Sequence, residues 1–481
     1  MKLEKLMEGI YVKNKYKNAD IKDVSSDNRE ITPGSVFVCI NGDHVNAHNF
    51  AQKATADGAV AVVVDHDIGV ENQLIVKDTR EAHAKMCANF NGNPARKLKL
   101  VGVTGTNGKT TTATLIRQIL MDYGHKTGFI GTTGYETGDS VKREGLTTPE
   151  GNEIHELFSK MVENGCTHCV MEVSSQALSQ RRVFGLMFDV AVFTNITQDH
   201  LDYHSDMESY AKAKKELFKN TKVAIINLDS DYSCFMLQGL KCRKYTYAVD
   251  NQHADFIARR IIQKPSHVQY EIIGKNMSGK VFLNIPGRFS IYNSMAAAIG
   301  CLALEIPLKS ISKSLSSAPG VVGRAEIVKC RAPYTIIIDY AHSPDSLENI
   351  LMTLRESKTG DIITVFGCGG NRDKTKRPKM GEIAARLSDI TIVTSDNPRN
   401  EDPNLIIGDI LDGMQGYESS TKVVADRTLA IEYAMRIARE GDVILLAGKG
   451  HETYQIIGNS KIDYDEREII AKILKKLNNE G

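Results

Sequence analysis

Short apolar runs alternate with amphipathic stretches along the chain, and turn-forming residues separate many of them. Near the N-terminus, residues 35–40 (SVFVCI) and 59–64 (AVAVVV) are two such runs. Runs of this length are typical of strands buried on both faces of a sheet. The stretch between them, residues 49–57, has helical spacing. This part of the chain is therefore predicted to alternate strands and helices.

The same alternation continues to the C-terminus in two further blocks. A strand is predicted over residues 98–103 and a helix over residues 112–121. The other predicted strands are residues 167–173, 190–194 and 223–227 in the second block, and 335–338, 362–366, 390–394 and 443–446 in the third. Strands that alternate with helices form mostly parallel sheets covered by helices. We predict an α/β fold of three domains, over residues 1–97, 98–330 and 331–481.

Composition supports a globular protein of this size. A chain of 481 residues with 42% hydrophobic and 25% charged residues fits about three domains. The formal net charge of +1 argues against a nucleic-acid partner. No apolar run is long enough for membrane insertion, and the N-terminus lacks the apolar core of a signal peptide. We expect a cytoplasmic protein.

The nine cysteines are scattered, as expected in a reducing compartment. Cys166 and Cys169 have the C-x-x-C spacing of a zinc or redox site. No second C-x-x-C completes a structural zinc site, and the pair leads directly into a predicted strand. We favour buried structural cysteines over metal or redox chemistry.

The most informative segment is residues 103–112, VTGTNGKTTT, between a predicted strand and a predicted helix. In such a strand, glycine loop and helix, backbone N–H groups and the helix N-terminus bind phosphates. Lys109 would contact the terminal phosphates, and the Thr110 hydroxyl would bind Mg²⁺. Val103 occupies the position of the first glycine in G-x-x-x-x-G-K-S/T, which indicates a particular kind of ATP user rather than a generic switch protein.

Polar residues follow the next two predicted strands. Glu172 lies at the carboxyl end of one, where ligands bind in open α/β sheets, so it is a candidate Mg²⁺ ligand. An ion pair with a lysine is the alternative. The loop of residues 195–204 contains two histidines and two aspartates, which fits either a site near a metal or a solvated loop. In the lysine-rich helix that follows, we expect Lys212 and Lys215 to face solvent.

Three strand ends in the third block carry Arg372, Arg399 and Glu452. At one sheet edge they would form a pocket for a zwitterion, because arginine binds carboxylates in a bidentate manner and glutamate accepts from an ammonium group. The alternatives are a tight glycine-rich connection around Arg372 and a surface Arg–Asp pair at Arg399.

Together these segments resemble the Mur ligase family, the ATP-dependent amide-forming enzymes of peptidoglycan precursor synthesis. The motifs that carry the resemblance are TGTNGKTTT, MEVSSQAL, TNITQDHLDYH, YAKAKKELF, GRFSIYN, GRAE and DYAHSP. The resemblance spans essentially the whole chain. It implies a UDP-binding N-terminal domain, a central P-loop ATPase domain with a mostly parallel sheet, and a Rossmann-like C-terminal domain.

The resemblance also implies roles for individual residues. Catalytic roles fall on Lys109, Glu172, His200 and Lys214. The implied metal ligands are Thr110, Glu172, His200 and Lys214, the last as a carbamate formed with CO₂. The implied ATP site comprises Gly105, Thr106, Asn107, Gly108, Lys109, Thr110, Thr111, Asn293, Arg324 and Asp339.

Within the family, the N-terminal motif SSDNR resembles that of members which add the third residue of the stem peptide. Asn28 replaces a usual serine, and Ala47-His48 stands where Gly-His is common. The residues implied to bind UDP-N-acetylmuramoyl-L-alanyl-D-glutamate are Ser26, Asn28, Thr147, Thr148, Ser174, Gln180 and Arg182.

The segment DNPR marks family members that take meso-diaminopimelate, whose second carboxylate Arg399 could bind. The implied diaminopimelate site comprises Arg372, Asp396, Asn397, Pro398, Arg399, Gly448 and Glu452. The alternatives are a lysine-adding ligase, a folate polyglutamate ligase, a P-loop switch protein and a catalytically inactive scaffold. The last two are disfavoured, because no N-K-x-D motif is present and the catalytic residues are intact.

The resulting hypothesis is a monomeric ligase that uses ATP and Mg²⁺. The D-glutamate carboxylate of the substrate attacks the γ-phosphorus of ATP, and the amine of diaminopimelate then attacks the acyl phosphate. The protein itself takes little part in covalent chemistry, so catalysis should depend mainly on how the three domains position the substrates. We therefore expect the domains to close during turnover.

Overall fold

The computed structural model describes residues 1–42, 45–142, 145–199, 203–264, 267–357 and 359–480. Within these ranges the chain builds three parallel or mostly parallel sheets and one separate hairpin. No described helix is both long enough and apolar enough to cross a membrane. The α/β fold predicted from the sequence is confirmed.

The N-terminal unit, residues 3–97, is a four-stranded parallel sheet in the order β1-β2-β3-β4. Its elements are α1 (Leu3–Leu6), β1 (Asp23–Ser25), β2 (Ser35–Val38), a 3₁₀ helix (Ala47–Phe50), α2 (Ala51–Ala56), β3 (Ala61–Val64), β4 (Gln73–Ile75), α3 (Thr79–Phe90) and a second 3₁₀ helix (Pro94–Lys97). Every residue of β2 and β3 is buried, which explains their continuous apolar sequence.

The central unit, residues 99–317, contains an eleven-stranded sheet in the order β15-β14-β13-β12-β11-β10-β5-β9-β6-β7-β8. Its strands are β5 (Lys99–Thr104), β6 (Thr127–Gly131), β7 (Gly134–Glu136), β8 (Val141–Lys142), β9 (His168–Glu172), β10 (Phe188–Phe193), β11 (Thr221–Asn227), β12 (Arg243–Ala248), β13 (Phe256–Gln263), β14 (Val268–Gly274) and β15 (Met277–Leu283). Its helices are α4 (Lys109–Asp122), α5 (Gly151–Glu163), α6 (Ser175–Ser179), α7 (Met207–Lys215), a 3₁₀ helix (Glu216–Asn220), α8 (Ser233–Leu237), α9 (Arg288–Ala303) and α10 (Leu308–Ser317).

The parallel strands β10, β5 and β9 lie side by side in the middle of this sheet. Helices α4 and α9 pack on one face, and α5 contributes to a separate apolar core on the other. Because neighbouring parallel strands end at the same edge, the loops after these three strands meet there. This edge carries the phosphate loop, Glu172 and Thr194.

The C-terminal unit, residues 326–480, contains a six-stranded sheet in the order β16-β17-β21-β18-β19-β20, parallel apart from β16. Its elements are β16 (Glu326–Ile327), β17 (Thr335–Asp339), α11 (Pro344–Ser357), β18 (Ile362–Phe366), α12 (Lys376–Leu387), β19 (Ile390–Val393), α13 (Pro403–Leu411), a 3₁₀ helix (Glu418–Ser420), β20 (Thr421–Val423), α14 (Arg427–Ile437), β21 (Val443–Ala447), the hairpin β22 (Tyr454–Ile457) and β23 (Ser460–Asp463), and α15 (Glu466–Glu480). Strands β21, β18 and β19 are neighbours, so their carboxyl ends share one edge.

Candidate active site

The phosphate loop joins β5 to α4, and close packing explains both of its glycines. A Cβ on Gly105 would overlap the Thr194 hydroxyl. Gly108 has a φ of +82° and precedes the first turn of α4, and a Cβ there would overlap the Asn293 side chain. Loss of either glycine would displace the loop, because no side chain fits at these positions. The helix begins at Lys109, three residues before the predicted start.

The loop after β10 holds the phosphate loop in place. Asn195 accepts from the Asn107 backbone N–H at 2.9 Å through Oδ1, and from the Thr106 N–H at 2.9 Å through its carbonyl. The Thr194 hydroxyl donates to the Asn107 carbonyl at 2.6 Å. Neither Thr194 nor Asn195 is among the site residues predicted from the sequence.

Glu172 lies at the end of β9, is fully buried, and faces the first turn of α4. Its carboxylate accepts hydrogen bonds from the Thr110 hydroxyl at 2.9 Å and from the Thr132 backbone N–H at 2.8 Å. Arg324 donates to the same Thr110 hydroxyl at 3.2 Å. The predicted metal ligands Thr110 and Glu172 are therefore in direct contact. The lysine ion pair considered as an alternative for Glu172 is not observed among the described residues.

Lys109 and Lys214 converge on the phosphate loop. Both ammonium nitrogens donate to the Gly105 carbonyl, Lys109 at 3.0 Å and Lys214 at 2.8 Å. The Lys214 side chain is 1% exposed, and its nitrogen lies 4.4 Å from the centre of the Tyr210 ring. Burial is the largest influence on the Lys214 pKa and lowers it well below its usual value, with a further lowering from Lys109.

The other two lysines of α7 differ from Lys214. Lys212 is exposed and pairs with Glu208 at 2.7 Å, as predicted for a solvent-facing residue. Lys215 is half-buried and donates to the Phe235 carbonyl at 2.6 Å, so it faces solvent only in part. His200, the fourth predicted catalytic residue, lies outside the described residues.

A cavity of about 390 Å³ lies beside the phosphate loop, between the central and C-terminal units. Seven of the predicted ATP-site residues line it: Asn107, Gly108, Thr110, Thr111, Asn293, Arg324 and Asp339. Gly105, Thr106 and Lys109 belong to the same loop but do not line this cavity. Burial raises the pKa of Asp339, whose carboxylate accepts from the Ala325 backbone N–H at 2.6 Å.

Asp345, at the start of α11, is not among the site residues predicted from the sequence. Its carboxylate accepts from the Asn107 side-chain amide at 2.6 Å and from the Thr197 hydroxyl at 3.3 Å. This contact joins the C-terminal unit to the phosphate loop, and Asp345 lines the cavity. Burial raises the pKa of the Asp345 carboxyl.

A second cavity, of about 590 Å³, contains most of the residues predicted to bind the other two substrates. From the central unit, it is lined by Lys109, Thr147, Thr148, Ser174, Gln180 and Arg182. From the C-terminal unit, it is lined by Arg372, Asp396, Asn397, Arg399, Gly448 and Glu452. Lys109 thus lies on the wall that separates the phosphate loop from this cavity.

On the central side, the predicted muramyl-dipeptide residues bond to one another. The Thr148 hydroxyl donates to the Glu172 carbonyl at 2.8 Å and accepts from the Ser174 backbone N–H at 3.0 Å. Arg182 donates to the Thr148 carbonyl at 2.8 Å and to the Gln180 side chain at 2.6 Å. This network ties the cavity wall to β9 and therefore to Glu172.

On the opposite side, Arg399 has a φ of +53°, a strained conformation for a residue with a side chain. Hairpin β22–β23 maintains it, because the Arg399 N–H donates to the Ile456 carbonyl and the Gly458 N–H donates to the Arg399 carbonyl. The Arg399 guanidinium donates to the Gly370 carbonyl at 2.8 Å. Within the described residues it forms no ion pair, so the surface Arg–Asp pair is not observed.

Lys449 links the acidic residues of this pocket and was not predicted from the sequence. Its side chain is fully buried, and its nitrogen lies 3.7 Å from Asp396 Oδ1, 3.4 Å from Glu452 Oε2 and 3.2 Å from Asn397 Oδ1. Burial is the largest influence on the Glu452 pKa and raises it, Asp396 raises it further, and Lys449 lowers it.

The remaining predicted residues lie elsewhere. Ser26 and Asn28 are in the loop after β1, and neither lines the two cavities. Pro398 is buried beside Asn397 and does not line the second cavity. Cys166 and Cys169 are buried free thiols, and burial raises the pKa of both.

Comparison with known proteins decides the family. The model of the Mur ligase middle domain matches residues 103–301, and that of the Mur ligase glutamate ligase domain matches residues 323–450. A UDP-N-acetylmuramoyl-L-alanyl-D-glutamate–2,6-diaminopimelate ligase from Clostridium botulinum is 43% identical, over 98% of this chain and 99% of the relative. The chain belongs to the Mur ligase family. A Bacillus velezensis relative of the same name is 41% identical, over 99% of this chain and 100% of the relative.

Solved structures show the same family fold. A structure of UDP-N-acetylmuramoyl-L-alanyl-D-glutamate–2,6-diaminopimelate ligase has a TM-score of 0.70 and 29% identity, over 95% of both chains. The MurF ligase of Thermotoga maritima in complex with ADP has a TM-score of 0.63 and 17% identity, over 96% of this chain and 99% of that one. A Mycobacterium tuberculosis folylpolyglutamate synthase covers only 77% of this chain, at a TM-score of 0.62 and 16% identity.

Proposed function

We propose that this Mur ligase adds meso-2,6-diaminopimelate to the D-glutamate of UDP-N-acetylmuramoyl-L-alanyl-D-glutamate, with hydrolysis of ATP to ADP and phosphate. The observation that carries the proposal is the second cavity. The residues predicted to bind the muramyl dipeptide and those predicted to bind diaminopimelate line the same cavity, from the central and the C-terminal unit respectively. Lys109 of the phosphate loop contacts that space. An acyl phosphate formed there would face the incoming amine. Relatives that match nearly the whole chain carry the name of this ligase.

The residues around the phosphate loop suit a Mg²⁺-dependent phosphoryl transfer. Thr110 and Glu172 offer hard oxygen donors in contact with each other, which fits Mg²⁺. When bound, Mg²⁺ neutralises charge on the phosphates. Lys109 and the backbone N–H groups of the loop position the γ-phosphate, while the network of Thr148, Ser174 and Arg182 positions the D-glutamate carboxylate that attacks it.

We also propose that Lys214 acts as a carbamate. The geometry supports this, because burial lowers the pKa of the Lys214 amine and so favours its neutral form, which can attack CO₂. The neutral nitrogen bonds to the carbon of CO₂ and loses one proton to solvent, so a neutral amine becomes an oxygen-rich anion. That anion would lie beside the phosphate loop, where its oxygens could bind Mg²⁺ in addition to Thr110 and Glu172.

The C-terminal unit supplies amino-acid specificity in this proposal. Arg399, which has no carboxylate partner among the described residues, binds the second carboxylate of diaminopimelate, and Glu452 accepts from an ammonium group. L-Lysine lacks that carboxylate and would leave the guanidinium without its partner. Residues 1–97 bind the UDP moiety, residues 98–330 bind ATP, and residues 331–481 bind the amino acid. The protein acts as a cytoplasmic monomer in this scheme.

The test is a reaction of the full chain with UDP-N-acetylmuramoyl-L-alanyl-D-glutamate, ATP and Mg²⁺, offered either meso-diaminopimelate or L-lysine. Phosphate release and the mass of the product are measured. We expect rapid turnover with diaminopimelate and at least about a tenfold lower kcat/KM with lysine, since one charged hydrogen-bonding group is left unpaired. Equal turnover would contradict the amino-acid assignment, and no turnover with either would contradict the function.

A matched pair of variants tests the phosphate loop. Lys109→Ala should lower kcat by about 100-fold or more, because a group that stabilises transferring phosphoryl charge is removed. Lys212→Ala, at an exposed lysine of the same unit, is the control. A loss of no more than about threefold in Lys109→Ala would remove Lys109 from the mechanism.

A further inference from the structure

A group of possible metal ligands lies in the N-terminal unit, away from the two cavities. His48 belongs to the 3₁₀ helix Ala47–Phe50, and Asp65 and His66 directly follow β3. One ligand atom from each of these residues lies within 4.8 Å of the others. The proposed reaction uses none of these side chains.

The hydrogen bonds of His48 fix its tautomer. Asn46 Oδ1 accepts from the His48 backbone N–H at 3.0 Å, which identifies that side-chain atom as the oxygen. His48 Nδ1 lies 2.9 Å from the same oxygen and 3.2 Å from Asn41 Oδ1. Because these oxygens only accept, Nδ1 carries the proton, and in a neutral ring Nε2 carries the lone pair.

That lone pair faces a carboxylate. His48 Nε2 lies 3.2 Å from Asp65 Oδ1, and Nε2 has no hydrogen-bond partner of normal geometry. The His48 side chain is only 5% exposed, so water does not replace the missing bond. Two acceptors this close repel each other unless a cation lies between them, and that cation is either a proton or a metal ion.

His66 completes the group from the solvent side. Its Nδ1 contacts the same Asp65 oxygen, and its ring stacks on that of His48 with the centroids 4.8 Å apart. The His66 side chain is 62% exposed, so solvent leaves room for other orientations of the ring. In a tetrahedral zinc site, neighbouring ligand atoms lie about 3.3 Å apart, and rotation of His66 would bring its nitrogen to that separation.

We propose that His48 Nε2, Asp65 and His66 form a binding site for a divalent transition-metal ion such as Zn²⁺. Two imidazoles and one carboxylate match the preference of these ions, whereas Mg²⁺ prefers oxygen ligands alone. The bond from His48 Nδ1–H to Asn46 is the outer contact that orients metal-binding histidines. The ion ties the 3₁₀ helix to the end of β3, and solvent supplies its remaining ligands.

The experiment titrates metal-free full-length protein with Zn²⁺, and separately with Co²⁺, in excess Mg²⁺. Calorimetry gives the stoichiometry and the affinity, and the visible spectrum of Co²⁺ reports its ligands. His66→Ala and Asp65→Asn are the test variants. His253→Ala, at an exposed histidine of the central unit, is the control.

We expect one ion per chain in the wild-type protein and in His253→Ala, with affinity at least about tenfold weaker in both test variants, since each loses one ligand or its charge. The Co²⁺ spectrum should lack thiolate charge-transfer bands. Equal affinity in all variants, thiolate bands, or no binding at millimolar Zn²⁺ would overturn the proposal. In the last case, the cation between His48 and Asp65 is a proton.

Discussion

At the scale of single residues, burial gives Lys214 a different chemistry from its neighbours on α7. Its nitrogen contacts the Gly105 carbonyl, and Lys109 lies close enough to lower its pKa further. Two ammonium groups this close repel each other, which favours the loss of one proton. Lys212, two residues away and exposed, pairs with Glu208 and has a raised pKa. The same residue type thus gives a buried amine with a lowered pKa at one position and a solvated cation at the other.

We expect Lys214→Arg to lower kcat by about 100-fold or more, because arginine keeps the positive charge but does not form a carbamate. With ¹³C-labelled bicarbonate, a carbamate carbon should be visible by NMR in the wild-type protein and absent from the variant. Lys212→Arg is the control and should retain both the signal and the activity. Full activity in Lys214→Arg, or the same carbon signal in both proteins, would contradict the carbamate.

Lys449 acts on the amino-acid pocket through its neighbours. Its buried ammonium group lowers the pKa of Glu452, against the raising effects of burial and of Asp396, and so favours the ionised carboxylate. If Glu452 binds an ammonium group of the substrate, as proposed, the ionised carboxylate does so more strongly than the protonated one. Lys449 is therefore a positioning residue, and its removal should raise the pKa of Glu452 further.

We expect Lys449→Gln to raise the KM for diaminopimelate about tenfold near neutral pH, while the KM values for ATP and the UDP substrate stay within about twofold. The defect should shrink as the pH rises, because a higher pH ionises Glu452 despite its raised pKa. Lys449→Arg, which keeps the charge, tests rescue. Equal rises in all three KM values, or a defect independent of pH, would indicate a merely structural role.

At the scale of secondary-structure elements, the buried parallel strands could be predicted closely. Strand β18 has the predicted bounds, and β3 starts two residues late. A strand covered on both faces must be apolar throughout, so its sequence identifies it without tertiary information. Helix α4 begins before its predicted start, because its first turn consists of the polar residues that face the ligand site.

The predicted elements do not include β12, β13, β14 and β15, which extend the central sheet beyond β11. Exposed residues occur in β12, β13 and β15, and β13 also carries an irregularity between Arg259 and Ile262 where it pairs with β14. Their local pattern is therefore weak, and their position depends on pairing with a sheet that is already formed. Lys449 was missed for a similar reason, since its partners come from separate strand ends.

At the scale of the whole molecule, the cavity of about 390 Å³ lies where the C-terminal unit meets the phosphate loop. Asp345 joins the C-terminal unit to the phosphate loop, because its carboxylate accepts hydrogen bonds from the Asn107 and Thr197 side chains. The bond to Asn107 spans 238 positions of sequence, so no local pattern indicates it. The junction lies beside the predicted phosphate site. We therefore expect the position of the C-terminal unit to affect the conformation of the phosphate loop.

We expect Asp345→Ala to raise the KM for ATP about tenfold, because the loss of a charged acceptor frees the Asn107 side chain and weakens the junction. Asp345→Asn, whose side-chain oxygen still accepts, should recover part of the loss. Glu348→Ala is the control, since this partly exposed residue of α11 pairs with Arg386 on α12. X-ray scattering with a non-hydrolysable ATP analogue should show a more compact wild-type protein and less compaction in Asp345→Ala. An unchanged KM for ATP together with unchanged compaction would show that Asp345 does not couple the two units.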